Sequence, residues 1–251
     1  MYEFLHGIDH CGVDGISPIL VLGGAVKEED FLARDLSEIQ GVTICERGLA
    51  RGVAWPDLCV NKIAEKLPRL RLVNVEFSGW CDIEDFGPQL RAERLRLICP
   101  KIRRKSDVRQ FSSAVIADLL IPDKFLAELI PESVENLTLT RPKMVSLDLI
   151  GVRNNLAELR IQLARNIENL NGVENFPKLV DLFVTDAPNL VRIGENFSKS
   201  SVRHLLLAGV KRLVDIKGLI GAKRLSKVSI IYASKEIAIP DSINFELNVE
   251  I

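Results

Sequence analysis

The residues best suited to chemistry lie near the start of this 251-residue chain, in the run HGIDHC at residues 6–11. Imidazole, carboxylate and thiolate groups are the ligands that Zn²⁺ prefers, and His6 and His10 would share one face of a helix. Gly7 and Gly12 oppose a stable helix here, and no second cluster of ligands completes a coordination shell. A polar N-terminal loop is therefore the favoured interpretation. An enzyme or metal-binding protein that uses the His6/His10 region is the alternative.

Other patterns that could support catalysis are weak. His204 is the only histidine outside the first cluster, and a Ser-His-Asp arrangement cannot be assembled around it from sequence alone. Gly23-Gly24 lacks the Lys-Ser/Thr of a phosphate-binding loop, so it indicates a turn. The Asp and Glu residues show no spacing that singles out a catalytic pair. We therefore expect a protein that is not an enzyme and has no catalytic residues, no metal and no cofactor.

Composition is typical of a soluble globular protein. The chain is 47% hydrophobic and 27% charged, which suffices for a sizeable core. Its net charge of −1 gives no strong attraction to nucleic acid or to a membrane surface. The 5 cysteines are scattered without a C-x-x-C pair, as in proteins of reducing compartments. With no secretory signal and no membrane span visible, we expect a cytoplasmic protein.

A regular spacing of apolar residues is the clearest feature of the C-terminal half. Leu159, Leu182, Leu205 and Val228 lie 23 residues apart, each within the phrase L-x-x-L-x-L, and Leu137 lies 22 residues before Leu159. The chain thereby resembles the leucine-rich repeat family. The resemblance implies an α/β leucine-rich repeat solenoid. It would carry a curved parallel β-sheet on the concave side and short helices or irregular turns on the convex side.

The repeat becomes weaker towards the N-terminus. Copies of the phrase centre on Leu70 and Leu95, and a weaker copy centres on Val42. A degenerate unit is expected around residues 115–121, where the spacing leaves room for one.

Domain boundaries follow from where the pattern starts and stops. Residues 1–66 are predicted to form an N-terminal cap or degenerate first repeats, because solenoids need a cover for their first core layer. Residues 67–251 are predicted to form the repeat solenoid. Residues 243–251 alternate apolar and polar side chains, which indicates a closing C-terminal strand.

Two further positions of each repeat are apolar. They lie eight and eleven residues after the central apolar residue, and we expect them to turn inward and fill the core between coils. These residues are Val145, Ile167, Leu190 and Leu213, followed by Leu170, Ile193, Ile216 and Ile239.

The turn after each strand departs from the family. Regular leucine-rich repeats carry Asn or Cys five residues after the central residue, where the side chain bonds the turn backbone. Here the corresponding residues are Pro100, Pro142, Ala164, Ala187, Val210 and Ala233. They cannot form a side-chain ladder, so the turn amides need other partners or water.

Side chains between the leucines are expected on the concave face, because strand side chains alternate. The N-terminal part of this face is basic and includes Arg69 and Arg71, with Val73 also facing outward. The C-terminal part carries Phe183, Leu206 and Ile231, which are expected to stack across adjacent strands. The predicted partner-binding residues are Arg94, Arg96, Arg160, Asp181, Phe183, His204, Leu206, Lys227 and Ile231.

An apolar stripe on a water-facing sheet favours a bound partner, since aromatic residues and Arg are enriched at interface anchors. Cover by a segment of the chain itself, such as the C-terminal tail, is the alternative. A second candidate is the basic run from Arg91 to Arg109, which attracts phosphates but has little aromatic interleaving. A solvated edge or an acidic protein partner is favoured there over nucleic acid.

The resemblance implies a non-catalytic protein-binding module that acts through the concave face. Similar stand-alone repeat proteins in bacteria include immunity proteins that neutralise a toxin, and this role is inferred by analogy. The alternative is an adaptor or specificity subunit that presents a substrate to another enzyme, with residues 1–66 as its second docking segment. Partners are therefore expected to be proteins, with nucleic acid and membrane disfavoured.

Overall fold

The computed structural model describes residues 6–9, 15–23, 35–45, 66–81, 92–102, 113–241 and 243–251. The chain forms two compact units, Met1–Ile121 and Pro122–Ile251. Each unit contains parallel strands that pair side by side, and returning coils join these strands in the second unit, as in a parallel β-solenoid. Within the described ranges, no helix has both the length and the apolar character needed to span a bilayer. The predicted boundary after residue 66 stays a prediction.

In the described part of the first unit, five parallel strands lie side by side, and a sixth strand is added antiparallel at one side. The parallel strands are β2 (Ile19–Gly23), β3 (Gly41–Cys45), β4 (Leu72–Glu76), β6 (Arg94–Ile98) and β8 (Ile116–Leu120). The antiparallel strand is β1 (His6–Asp9), which pairs with β2. A separate parallel pair is formed by β5 (Trp80–Cys81) and β7 (Lys101–Ile102).

One buried column runs through these parallel strands. Leu20, Val42, Val73, Leu95 and Ala117 pair in register, and each is at most 2% exposed. The weak unit at Val42 and the degenerate unit within residues 115–121 are therefore confirmed as strands of the sheet.

The repeat unit predicted around Leu70 has its central residue three positions later, at Val73. Val73, and not Leu70, pairs with Leu95, so Val73 faces the core rather than the outer surface. The sequence LPRLRLVNV at residues 67–75 fits the repeat phrase in two overlapping ways. Residues 67–70 form a turn, in which the Leu70 amide donates to the Leu67 carbonyl at 3.1 Å.

This shift also moves two arginines out of the sheet. Arg69 and Arg71 precede β4 and are exposed, rather than lying within a strand. Arg69 pairs with Glu38, and Arg71 pairs with Glu93 at 3.1 Å.

The second unit is built from parallel strands that pair in chain order. They are β9 (Asn136–Thr140), β10 (Glu158–Gln162), β11 (Asp181–Thr185), β12 (His204–Ala208), β13 (Lys227–Ile231) and β14 (Glu246–Glu250). The returning coils contain short 3-10 turns at Leu147–Ile150, Val173–Asn175, Glu195–Lys199 and Lys217–Leu219. Before β9, a 3-10 turn at Asp123–Phe125 leads into the one-turn helix α1 (Leu126–Leu129).

The core of the second unit repeats from coil to coil. The central residues Leu137, Leu159, Leu182, Leu205 and Val228 stand in register and are at most 2% exposed. Burying a side chain of this size contributes about 1.5–3 kcal/mol. Six of the residues predicted to turn inward are buried: Ile167, Leu190, Leu213, Leu170, Ile193 and Ile216. Repetition of one packing layer is therefore what stabilises this unit.

The predicted inward orientation is wrong for two residues. Val145 is 53% exposed and Ile239 is 52% exposed. The coil between Leu137 and Leu159 is one residue shorter than those that follow, so Met144 takes the inward position next to Val145. Ile239 lies in the coil before β14, which is shorter still and ends at the edge of the sheet.

Each strand from β9 to β13 is followed by a residue with left-handed backbone geometry. These residues are Arg141 (φ 55°), Leu163 (φ 55°), Asp186 (φ 52°), Gly209 (φ 69°) and Tyr232 (φ 55°). The reversal directs the next side chain into the core, which is why that position holds Pro, Ala or Val rather than Asn.

The turn amides find partners on the adjacent coil. The Ala164 amide donates to the Thr185 carbonyl at 3.2 Å, and the Ala233 amide donates to the Glu250 carbonyl at 3.0 Å. For Ala164 and Ala233, the expectation that the turn amides need other partners is confirmed.

Polar ladders do connect the coils, but at positions other than the family's. Asn166 Nδ2 donates to the Lys143 carbonyl at 3.3 Å, and Asn189 Nδ2 donates to the Arg165 carbonyl at 2.7 Å. Arg212 continues this ladder by donating to Asn189 Oδ1 at 3.2 Å. The 23-residue spacing of Asn166 and Asn189 is visible in the sequence, so this ladder could have been found there.

Candidate functional site

We define the open face as the outward side chains of β9–β14, which alternate with the buried residues and form three rows across the strands. The first row is Asn136, Glu158, Asp181, His204, Lys227 and Glu246. The middle row is Thr138, Arg160, Phe183, Leu206, Ser229 and Asn248. The third row is Thr140, Gln162, Thr185, Ala208, Ile231 and Glu250. All of these side chains are partly or fully exposed.

An apolar pair occupies the centre of the open face. Phe183 pairs in register with Leu206, and both are half-buried. The Arg160 guanidinium carbon lies 4.4 Å from the centroid of the Phe183 ring, which is a cation–π contact. Ile231 lies opposite Ala208 in the third row, so it does not continue the pair as predicted. The apolar centre is thus a two-residue patch with Arg160 on one side.

Polar and charged side chains form pairs along the first row. His204 Nδ1 lies 2.6 Å from Asp181 Oδ1, and Lys227 Nζ lies 3.3 Å from Glu246 Oε1. The first contact is a hydrogen bond, and the second is an exposed ion pair, which contributes only about 0–1 kcal/mol to stability. Their consequence here is to fix where each charge sits on the open face.

A basic groove adjoins this row at the N-terminal ends of β12 and β13. It is an open hollow of about 700 Å³ lined by Val180, Arg203, His204, Arg224 and Ser226. The Arg224 guanidinium donates to Ser201 Oγ at 2.9 Å. In the described part of the chain, no carboxylate forms an ion pair with the guanidinium of Arg203 or of Arg224. The groove can therefore receive a carboxylate from a binding partner.

Sequence reasoning missed this groove. It considered only the outward residues of each strand, whereas Arg203 and Ser226 are the residues immediately before β12 and β13. They stand 23 residues apart, so the same register that aligns the leucines also aligns them.

A second hollow, of about 490 Å³, lies among the returning coils of the second unit. Its charged lining residues are Arg192, Glu195, Asp215 and Lys217, and none of them was predicted as a site residue. The mixed charge gives no preference for a ligand of either sign.

The predicted basic residues Arg94 and Arg96 lie on β6 in the first unit. Arg96 Nη1 lies 3.6 Å from Glu76 Oε1, and the same Glu76 oxygen accepts from Asn74 Nδ2 at 3.0 Å. This carboxylate partly offsets the positive charge expected there. Of the basic run from Arg91 to Arg109, residues 91 and 103–109 lie outside the described residues.

The N-terminal histidine cluster is built differently from the sequence prediction. His6–Asp9 is a strand, because its backbone pairs with the apolar strand β2, and it is therefore neither a loop nor part of a helix. His10 and Cys11 lie outside the described residues. Among the residues that the structure describes, no group of three or more His, Cys, Asp or Glu side chains could hold a metal ion.

No family model matches this chain, and no curated protein or solved structure shows significant similarity to it. Its function is therefore inferred from the residues of the open face and from the groove beside it.

Proposed function

We propose that this protein is a non-catalytic binding module of the leucine-rich repeat type, which binds a protein partner through the open face of the Pro122–Ile251 unit. The observation that carries the proposal is the half-buried apolar pair Phe183–Leu206 on the outward side of the sheet, at the centre of the open face. Apolar groups at the centre of a polar surface gain free energy when a partner covers them. The repeat phrase and its spacing of 22–23 residues support the leucine-rich repeat type.

The chemistry of the partner follows from the surroundings of this pair. Arg160 stands over Phe183, and the groove beside His204 presents Arg203 and Arg224. A partner surface that fits carries a protruding apolar or aromatic side chain with a carboxylate beside it. The guanidinium groups of the groove offer charge-assisted hydrogen bonds to this carboxylate.

Within this class we propose an immunity-type protein that neutralises a toxin of bacterial origin, by analogy with other stand-alone repeat proteins. We also propose a cytoplasmic location. The buried thiols of Cys45 and Cys99 are free, which is compatible with a reducing compartment.

The proposal is tested by replacing Phe183 with Asp. A partner is first captured from native lysate and identified by mass spectrometry, and its affinity for wild type and variant is then measured by calorimetry. We expect Phe183→Asp to lower the affinity at least thirtyfold, corresponding to about 2 kcal/mol for an anchor residue. Thermal unfolding of the variant should change little, because Phe183 is only half-buried.

The matched control is Val145→Asp, which places the same charge at an exposed apolar residue of a returning coil. This variant should bind as the wild type does. Equal affinity of Phe183→Asp and Val145→Asp would remove the open face from the account.

A further inference from the structure

The last strand of the second unit has one free edge. β14 pairs with β13, and no strand of the described chain pairs with its other side. The Glu246 amide donates to the Ser226 carbonyl at 2.9 Å, and the Glu250 carbonyl accepts from the Ala233 amide, so these two residues bond towards the β13 side. Because alternate residues of a parallel strand bond to opposite sides, Leu247 and Val249 direct their amides and carbonyls towards the free edge.

Apolar side chains at this edge are only partly covered by the described residues. Leu247 and Val249 continue the two buried columns that contain Val228 and Ile230 on β13. Val228 and Ile230 are fully buried, whereas Leu247 and Val249 are only half-buried. One more strand with apolar residues at alternate positions would cover them. Such an edge is a ready template for pairing with another chain.

The charged side chains of β14 determine which kind of strand can pair with its free edge. Glu246, Asn248 and Glu250 are the outward residues of this strand, and all three are exposed. On the β13 side, Glu246 already pairs with Lys227 at 3.3 Å. A strand on the free side with basic residues opposite Glu246 and Glu250 would repeat this pairing, and opposite charges on adjacent strands are favourable.

A second copy of this chain fits the edge poorly. An antiparallel pair of β14 strands brings the four glutamates to one face of the ribbon. In the register centred on Asn248 it sets Glu246 directly opposite Glu250. Like charges opposite one another destabilise a strand pair. The edge therefore favours a basic segment over another copy of itself.

We propose that the free edge of β14 binds an extended segment of a protein partner by strand addition. The segment has the pattern basic–apolar–polar–apolar–basic. Main-chain hydrogen bonds to Leu247 and Val249 supply the attraction, and the two basic side chains supply the selectivity. This site does not involve Phe183 or the basic groove, so its test is independent of the test of the proposed function.

The test is a titration of the full ¹⁵N-labelled chain, monitored by NMR amide shifts and by hydrogen exchange. The probe is the capped peptide Lys-Val-Thr-Val-Lys, which reads the same in both directions and therefore tests parallel and antiparallel addition. The control peptide is Glu-Val-Thr-Val-Glu. We expect saturable shifts and slower exchange at the amides of Leu247 and Val249 with the lysine peptide only, and a weaker effect at high salt.

Two variants separate backbone pairing from charge. Val249→Pro removes the amide that faces the free edge and should abolish binding, whereas Val249→Ala keeps this amide and should retain it. Replacing both Glu246 and Glu250 by Gln should weaken binding of the lysine peptide roughly tenfold. The double glutamine variant leaves the backbone unchanged. It therefore remains informative even if Val249→Pro unfolds β14.

Three results would overturn the proposal. They are the absence of saturable shifts at Leu247 and Val249 with the lysine peptide, equal binding of the two peptides, and concentration-dependent self-association that protects β14 without any peptide. Loss of partner binding in Phe183→Asp has no bearing on this outcome.

Discussion

At the scale of single residues, Phe183 is oriented by its two cross-strand neighbours. Arg160 covers one side of the ring, and Leu206 stands on the other side in exact register. Arg160 also pairs with Glu158 on its own strand, which restricts its side chain. The aromatic ring is therefore presented in a defined position, so a partner loses little free energy in ordering it.

Glycines mark where neighbouring coils approach most closely. Gly172 has φ 93°, and a Cβ at this position would lie 2.5 Å from the Asp148 backbone nitrogen of the preceding coil. Gly221 has φ 79°, but a Cβ there would meet nothing within 4 Å. The two positions share the backbone preference for glycine and differ in the available space.

This difference gives a prediction about stability. Gly221→Ala should lower the free energy of unfolding by about 1 kcal/mol, which is the cost of left-handed geometry alone. Gly172→Ala should lower it by about 3 kcal/mol, because the backbone of the adjacent coil must also shift. Urea unfolding of both variants measures the difference. Similar losses in the two variants would contradict the close packing of these coils.

At the scale of elements, the short helix α1 depends on a contact from the next coil. A helix of four residues is not stable by itself. Arg153 is only 8% exposed, and its Nη2 donates to the Ala127 carbonyl of α1 at 2.6 Å. Its Nη1 donates to the Val152 carbonyl at 2.7 Å. Burial lowers the pKa of the Arg153 guanidinium, because it removes water from the charged group. Hydrogen bonds to the two carbonyls offset part of this desolvation.

Removing this side chain tests the dependence. Arg153→Ala should destabilise the protein by about 2–3 kcal/mol, because it leaves the Ala127 carbonyl without its partner and opens a cavity. Hydrogen exchange should then rise first at the amide of Ile130, which donates to the Leu126 carbonyl. The control Arg165→Ala removes an exposed arginine and should change stability by less than about 0.5 kcal/mol. Equal destabilisation by the two variants would show that Arg153 has no special role.

The elements also show how far the sequence predicts this structure. The strands β9–β13 and their register follow from two apolar residues that recur every 22–23 residues, since a slip of one residue would expose them all. Leu70 was misplaced because two overlapping phrases compete there, and only the turn at Leu67–Leu70 decides between them. Val145 was misplaced because the 22-residue spacing from Leu137 to Leu159 shows that the coil is one residue shorter, but not where along the coil the residue is missing.

The same reasoning applies to the open face. The contact of Arg160 with Phe183 follows from the register of β10 and β11, so it could have been predicted from the repeat. The basic groove could not be predicted from the strand phrases alone, because Arg224 lies outside them and comes near Arg203 only through the path of the coils.

At the scale of the whole molecule, the chain presents two compact units, and each unit contains parallel strands. Phe183 and the basic groove belong to the second unit, whereas Arg94 and Arg96 belong to the first. An adaptor would need two docking surfaces, and one protein bound to each unit would favour that proposal. A single partner on the second unit favours an immunity-type binder.

Site-specific photo-crosslinking tests the central claim most directly. A benzophenone amino acid is placed at Ser229, beside Leu206 on the open face, and in a second protein at Ile220, which is 43% exposed on a returning coil. After irradiation in native lysate, we predict that Ser229 captures one protein at high yield and that Ile220 does not capture it. Capture of that protein from Ile220 but not from Ser229 would place the binding surface on the returning coils and contradict the account.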